Sequence, residues 1–377
     1  MDKQPISQHS SKDKIPVINK YFTATIKSEG SDLHLKADCI PRIRSKGSLR
    51  NTTSGVIPEA QMEEMIYEIL TESQKKFFLE NGALDFAYDF GDTDRFRVNI
   101  FRQRGKISLV ARRVSSIIPD FNTLNLPPII QDISDYHQGL ILVTGVTGSG
   151  KSTTIASMID RIVKQRPCHV VTVEDPIEYI YTDSKGLVNQ REVGIDCVSF
   201  EDALRSLMRE DPDVALVGEI RDFTTLNAAI KAAETGHQVF GTLHSTDAYQ
   251  SVTRMLDLTP EVERYMVRQA LVGNLKAIVC QRLLPTIRKE VPRVPALEIL
   301  LVNGVTRKLI ADEREVDIPS VIKSSYADGM VDFNESLRRL IVSEMIDIKI
   351  AYNYSTNVDE LKMAMKGIKT TASTLIG

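Results

Sequence analysis

A chain of 377 residues, 42% hydrophobic and 26% charged, carries enough apolar material for two cored domains and is not the composition of a disordered protein. Its 47 basic and 50 acidic residues leave a formal net charge of −3, and it has no tryptophan, so neither a global positive field nor that stacking side chain argues for nucleic acid. Four scattered cysteines (Cys39, Cys168, Cys197, Cys280) form no Cys-x-x-Cys pair, and no apolar run approaches the roughly 20 residues of a membrane span, which points away from zinc sites and disulfide frameworks and toward a cytosolic protein.

Residues 1–20 are polar and lysine-rich and read as a mobile tail, with order beginning near Tyr21. Asp32-Leu33-His34-Leu35 and Pro41-Arg42-Ile43-Arg44 alternate like strands, with a turn around Lys46-Gly47-Ser48. Helical spacing takes over from Pro58 to Leu70 and from Thr71 to Asn81, where Gly82 supplies a C-cap. Further strands at Asp85–Phe90, Arg95–Arg102 and Lys106–Arg113 complete an N-terminal α/β sandwich over 21–117. Its last strands concentrate Arg95, Arg97, Arg102, Arg104, Arg112 and Arg113. One reading is a solvated charged face; the other is that some of these arginines complete a neighbouring subunit's nucleotide site.

Pro119, Pro127 and Pro128 mark a linker over 118–128. From 129 to 298, β and α segments alternate as in a parallel sheet covered on both faces. Helical spacing, as in Met330–Ser343 and Asn357–Met365, then predicts a small helical subdomain over 299–366 and a loose end over 367–377.

The most informative stretch is Gly145-Val146-Thr147-Gly148-Ser149-Gly150-Lys151-Ser152, two glycines bracketing four residues and then Lys-Ser. It lies between an apolar strand, Gly139–Thr144, and a helical run, Thr154–Val163, which is where a phosphate loop must sit. Glycines let consecutive N–H groups wrap a polyphosphate, and the helix N-terminus adds partial positive charge. Lys151 would reach the β- and γ-phosphates, and Ser152 or Thr153 would place a hydroxyl on Mg²⁺.

A second buried strand from His169 ends in Glu174, Asp175 and Glu178. Strand C-termini face the ligand crevice in open α/β sheets, so Glu178 is the candidate to orient or deprotonate an attacking water; the bland reading is an acidic loop capping the next helix. Asp213–Val217 repeats the arrangement and delivers Glu219 to where an acid would hold Mg²⁺ through its water shell. A further strand, Val239–Leu243, ends in His244. A lone histidine is usually structural, but this one stands at a strand terminus on the same edge.

Together these stretches resemble the secretion-type AAA-like ATPases of type II secretion and type IV pili, most closely the pilus retraction motors of the PilT and PilU kind, over Ser31–Lys366. The resemblance rests on Gly145–Ser152 (Walker A), Glu174-Asp175-Pro176-Ile177-Glu178 (Asp box), Glu210–Asp213 through Gly218–Asp222 (Walker B) and Ala233–His237 through Thr242-Leu243-His244 (His box). It implies a PAS-like N-terminal domain, a RecA-like ATPase core and a C-terminal helical subdomain. It also implies a homohexamer in which each site lies between one subunit's motor domain and the next subunit's N-terminal domain. ATP and Mg²⁺ are the implied cofactors, with Glu178 as general base, Glu219 at Mg²⁺, His237 and His244 near the nucleotide, and Arg97, Arg104 and Arg112 contacting it across the interface. The implied partners are an inner-membrane pilus platform protein and a second pilus motor ATPase, and the implied location is the cytoplasmic face of a bacterial inner membrane, reached through those partners.

Two features bear on subtype. No room for a four-cysteine zinc insertion separates Cys280–Pro285 from Arg293–Glu298, as in a retraction motor; against this, the retraction family's Ala-Ile-Arg-Asn-Leu-Ile signature is present only as Val305-Thr306-Arg307-Lys308-Leu309-Ile310, which keeps the arginine and the final Leu-Ile. Gln281–Pro285, Gly329-Met330 and Asp359–Lys362 look more like the PilU-type accessory motor. The rivals are a DotB-like type IV secretion or conjugation motor and a ring helicase, the latter disfavoured by the near-neutral charge.

Overall fold

The structure, a computed structural model, describes residues 16–45, 48–91, 94–114 and 117–367. The chain divides into two compact units, Met1–Ser116 and Ile117–Gly377.

The first unit contains α1 (Asn19–Lys27), β1 (Asp32–Lys36), β2 (Arg42–Ser45), β3 (Ser48–Asn51), α2 (Glu59–Tyr67), α3 (Glu72–Asn81), β4 (Ala83–Phe90), β5 (Asp94–Gln103) and β6 (Lys106–Val114). The strands form one antiparallel sheet in the order β3-β2-β1-β6-β5-β4. Alternation along each strand sends Leu33, Leu35, Val98, Ile100, Leu109 and Ala111 to one face, where they meet Phe22 of α1, Met62 and Ile66 of α2 and Phe78 of α3 in a single core. Phe22 packs its ring 4.5 Å from that of Phe96. Each such buried side chain contributes about 2 kcal/mol. Order sets in before the expected Tyr21: Ile18 is fully buried and Asn19 opens α1. The remainder of the expected tail, residues 1–15, the turn residues 46–47 and the end from 368 lie outside the described residues.

The second unit opens with α4 (Ile129–Ser134), β7 (Gly139–Thr144), α5 (Lys151–Gln165), β8 (His169–Glu174) and β9 (Leu187–Glu192). It continues with α6 (Phe200–Leu207), β10 (Val214–Val217), α7 (Phe223–Glu234), β11 (Gln238–Leu243), α8 (Ala248–Asp257), α9 (Arg264–Asn274), β12 (Leu275–Pro285) and β13 (Arg293–Leu301). Helices α10 (Gly304–Ala311), α11 (Ile318–Ser324), α12 (Phe333–Val342), α13 (Ile348–Tyr354) and α14 (Val358–Met365) close it. The sheet order is β13-β12-β7-β11-β10-β8-β9, parallel throughout except for the β12–β13 hairpin.

Every residue of β7 is buried, because the sheet is covered on both faces. Leu140 and Leu142 point to one cluster, and Ile141 and Val143 to the other. The second cluster takes Ile155, Met158, Ile159, Ile162 and Val163 of α5, a stripe at helical spacing. Within the proline-rich stretch 118–128, Phe121 and Leu126 are buried in that second cluster. The C-terminal helices do not build a core of their own, since Leu309, Ile318, Ile322, Phe333, Leu337 and Leu361 join the cluster that also holds Leu140 and Val239.

Candidate functional site

The phosphate loop leaves β7 at Thr144 and enters α5 at Lys151. Glycine is required here for steric reasons. Gly145 sits at φ +147°, and a Cβ there would stand 2.4 Å from the Gln281 carbonyl oxygen; Gly150 sits at φ +90°, and a Cβ there would stand 2.7 Å from the Gln281 side-chain nitrogen. Gln281 of β12 is what holds the loop. Its Nε2 donates to the Ser149 carbonyl at 2.7 Å, and its Oε1 accepts from the Thr154 hydroxyl at 2.8 Å. The Lys151 ammonium donates to the carbonyls of Gly145 and Val146 at 2.9 and 3.2 Å. Burial lowers its pKa, opposed by the nearby Glu219 and Glu178 carboxylates.

Parallel register brings the other strands to the same edge. Val217 pairs with both Val173 and Gly241, and Leu243 pairs with Thr144, so Glu174, Gly218 and His244 emerge level with the loop. The Thr242 hydroxyl donates to the Gly218 carbonyl at 2.6 Å and ties two of these tips together. Gly218 packs so closely on β8 that a Cβ would meet the Val173 carbonyl oxygen at 2.9 Å. The result is a cavity of about 570 Å³, lined among others by Thr147, Gly148, Gly150, Lys151, Ser152, Glu174, Glu178, Glu219, Arg221 and His244, a volume that suits a nucleotide.

Within it, Glu219 is gripped from two sides, Oε2 accepting from Arg221 at 2.7 Å and Oε1 lying 3.1 Å from His244 Nε2. The Arg221 hydrogen bond is the main reason its carboxyl is held below the usual range, against the effect of burial, with His244 and Lys151 assisting. Glu219 is therefore an ionised oxygen donor. Ser152 and Thr153 both line the cavity, but the Thr153 hydroxyl is bonded to Tyr179 OH at 2.8 Å, which favours Ser152 of the two hydroxyls considered for Mg²⁺. A carboxylate and a hydroxyl, with no cluster of three His, Cys, Asp or Glu side chains among the described residues, fit a hard cation that arrives with phosphate oxygens and water.

Glu178 is exposed on the loop after β8 and faces the cavity. Glu174 is buried behind it, accepting from the Thr172 hydroxyl at 2.7 Å and from Gln190 at 3.2 Å, and burial pushes its pKa up to about 7.

Other expected residues lie elsewhere. His237 precedes β11, one strand length of roughly 20 Å from His244, because six residues of extended chain separate the two. Its Nδ1 is 2.9 Å from the Ala232 carbonyl oxygen. Arg97, Arg104 and Arg112 belong to the first unit. Arg97 and Arg112 are directly opposite in register, and Arg112 Nε donates to Asp32 at 2.9 Å. Arg104 occupies the β5–β6 turn at φ +54°.

Arg221, Gln281 and Gln190 stand at or against the site without being among the residues the sequence singles out for it. Arg221 carried a local signal, two residues beyond Glu219 in one charged run; Gln281 carried none, since its partners lie 127 and 132 residues away.

Comparison with known proteins bears on this geometry. The sequence profile of the type II/IV secretion system protein family matches residues 7–375. A twitching motility protein of Neisseria gonorrhoeae is 39% identical over 348 residues, 92% of each chain. The type IV pilus retraction ATPase PilT of Pseudomonas aeruginosa is 39% identical over 87% of this chain and 95% of its own. The type IV pilus ATPase PilU of the same organism is 34% identical over 92% of this chain and 91% of its own. Overall identity is thus higher to PilT than to PilU of that organism. Among solved structures, the pilus retraction motor PilT with bound ADP superposes at a TM-score of 0.85, with 39% identity over 92% of this chain and 98% of that one. The Legionella pneumophila ATPase DotB superposes at 0.74 with 24% identity, covering 92% of this chain and 97% of that one, a likeness of fold.

Proposed function

Because the chain belongs to the type II/IV secretion system protein family and is an ATPase, we propose that it is a homohexameric motor that retracts type IV pili. ATP lies with its phosphates against the N–H groups of Gly145–Ser152 and the N-terminus of α5. Lys151 turns from the Gly145 and Val146 carbonyls to the β- and γ-phosphates. Ser152 and Glu219 would hold Mg²⁺, which when bound would neutralise charge developing on the phosphates. Glu178 orients the attacking water, and His244 links Glu219 to the terminal phosphate. Arg97, Arg104 and Arg112 reach the nucleotide from an adjacent copy. The motor works in the cytoplasm against an inner-membrane platform protein, alongside a second pilus motor ATPase; no nucleic acid is involved.

One observation carries this reading: the tips of β8, β10 and β11 deliver Glu178, Glu219 and His244 to the cavity that presents Lys151. Near full-length identity to proteins named for twitching and retraction favours pili over a DotB-like secretion machine, for which only the fold argues. The test is to delete the gene in its native host and follow labelled pili. Pili that extend but no longer shorten support the proposal; unaltered shortening with loss of protein or DNA export would replace it with the secretion reading.

A further inference from the structure

The loop that carries Glu178 is fastened by side chains of the edge strand. β9 runs parallel to β8, with Gln190 opposite Thr172 and Glu192 opposite Glu174, so Gln190 and Glu192 share a face. The Gln190 amide is used in full. Its Nε2 donates to Glu174 Oε1 at 3.2 Å and to the Tyr179 carbonyl at 2.8 Å, and its Oε1 accepts the Tyr181 N–H at 2.9 Å. Glu192 accepts the Ile177 N–H at 3.4 Å. Alternate residues of β9 thus hold residues 177, 179 and 181 of the loop, and the residue between the first two of these, Glu178, is left facing the cavity. On the opposite side, Thr153 of α5 holds the Tyr179 hydroxyl at 2.8 Å, so the segment is stretched between the edge strand and the helix of the phosphate loop.

We infer that Gln190 is a positioning residue for the hydrolytic water: by tying Glu174, Tyr179 and Tyr181 together it sets where the Glu178 carboxylate stands. The inference rests on Glu178 being the group that orients that water. Of the other side chains only asparagine carries the same carboxamide, and it is one methylene shorter. The arrangement needs one group with two N–H donors and an acceptor, and a glutamate in its place would turn an oxygen toward both Glu174 and the Tyr179 carbonyl. Gln190 itself makes no hydrogen bond to Gly145–Ser152, so nucleotide affinity should survive its loss while turnover does not. A displacement of a catalytic group by about 1 Å costs on the order of 100-fold in rate.

The experiment is a double-mutant cycle on the full-length protein, with ATP hydrolysis and binding of a fluorescent ADP analogue measured for Gln190→Leu, Gln190→Met, Glu178→Ala and Glu178→Ala/Gln190→Met. The expected result is kcat lowered about 100-fold by either Gln190 substitution, KM and ADP-analogue affinity within about twofold, and no further loss in the Glu178→Ala background. Gln190→Met conserves volume, so it reports on the hydrogen bonds even if the leucine variant folds poorly. Wild-type kcat in Gln190→Met, or an equal additional loss when Glu178 is already absent, overturns the inference while leaving Glu178's role intact. Full turnover in Glu178→Ala overturns the role itself, and the inference with it.

Discussion

Glu298 on β13 shows how much one buried carboxyl costs. It accepts the Ala248 N–H at 2.8 Å but faces Asp247 and Asp332, with Arg282 the nearest compensating charge, and burial pushes its pKa from 4.5 up to about 7. Between those two values the folded chain holds a proton that the unfolded chain has released, so stability falls as pH rises through this window, by on the order of 3 kcal/mol in all. Glu298→Gln keeps the acceptor for Ala248 and removes the titration. It should raise the melting temperature at pH 8 and leave it nearly unchanged at pH 5; equal melting of variant and parent at both pH values would show that the carboxyl is not destabilising when charged. Glu178 makes the opposite kind of claim, since it is exposed and its removal should not disturb folding. Glu178→Ala should lower ATP turnover by about 100-fold or more with nucleotide affinity retained, measured by phosphate release and equilibrium binding.

At the scale of elements, the phosphate loop is a short segment whose shape is imposed by the strand beside it. β12 supplies both the carbonyl that forbids a side chain at Gly145 and the amide that anchors Ser149 and Thr154. Gln281→Leu leaves the buried Thr154 hydroxyl and Ser149 carbonyl unpaired, and should cost about 1–3 kcal/mol in thermal or denaturant unfolding and weaken nucleotide binding with it. In the first unit, α3 begins with a complete capping box, Thr71 accepting from Gln74 N and the Gln74 side chain accepting from Thr71 N. Thr71→Ala should therefore destabilise that unit by about 1 kcal/mol without altering ADP binding, and a change in ADP affinity would contradict the independence of the two.

Across the whole molecule, all the cavity-lining residues belong to Ile117–Gly377, which has its own hydrophobic clusters on both faces of its sheet. A fragment of residues 117–377 should fold and bind ADP with near full-length affinity; an unfolded or non-binding fragment would mean that the first unit is needed to form the pocket. Hydrolysis is a separate matter. If arginines of the first unit act on a neighbouring copy, the full-length Arg97→Ala/Arg104→Ala variant should lose turnover by about 100-fold or more while still binding nucleotide. Unchanged turnover would identify those arginines as a solvated face.

The sequence by itself determined what is local. Gly145–Ser152 reads as a phosphate loop because its function depends on consecutive backbone amides, and Glu178, Glu219 and His244 could be read as candidate site residues because each lies within a few residues of the C-terminal end of an apolar run that reads as a buried strand. Tertiary structure alone decided what depends on register between distant strands. Leu187–Glu192 shows no alternation or apolar run, yet its pairing with β8 puts Gln190 under the Glu178 loop. Gln281 reaches the phosphate loop only because β12 lies beside β7, and His237 is removed from the cavity only because β11 is extended between it and His244. A parallel sheet has no local rule for which strand neighbours which. Chemistry carried by contiguous residues is therefore legible in one dimension, and the groups that hold that chemistry in place are not.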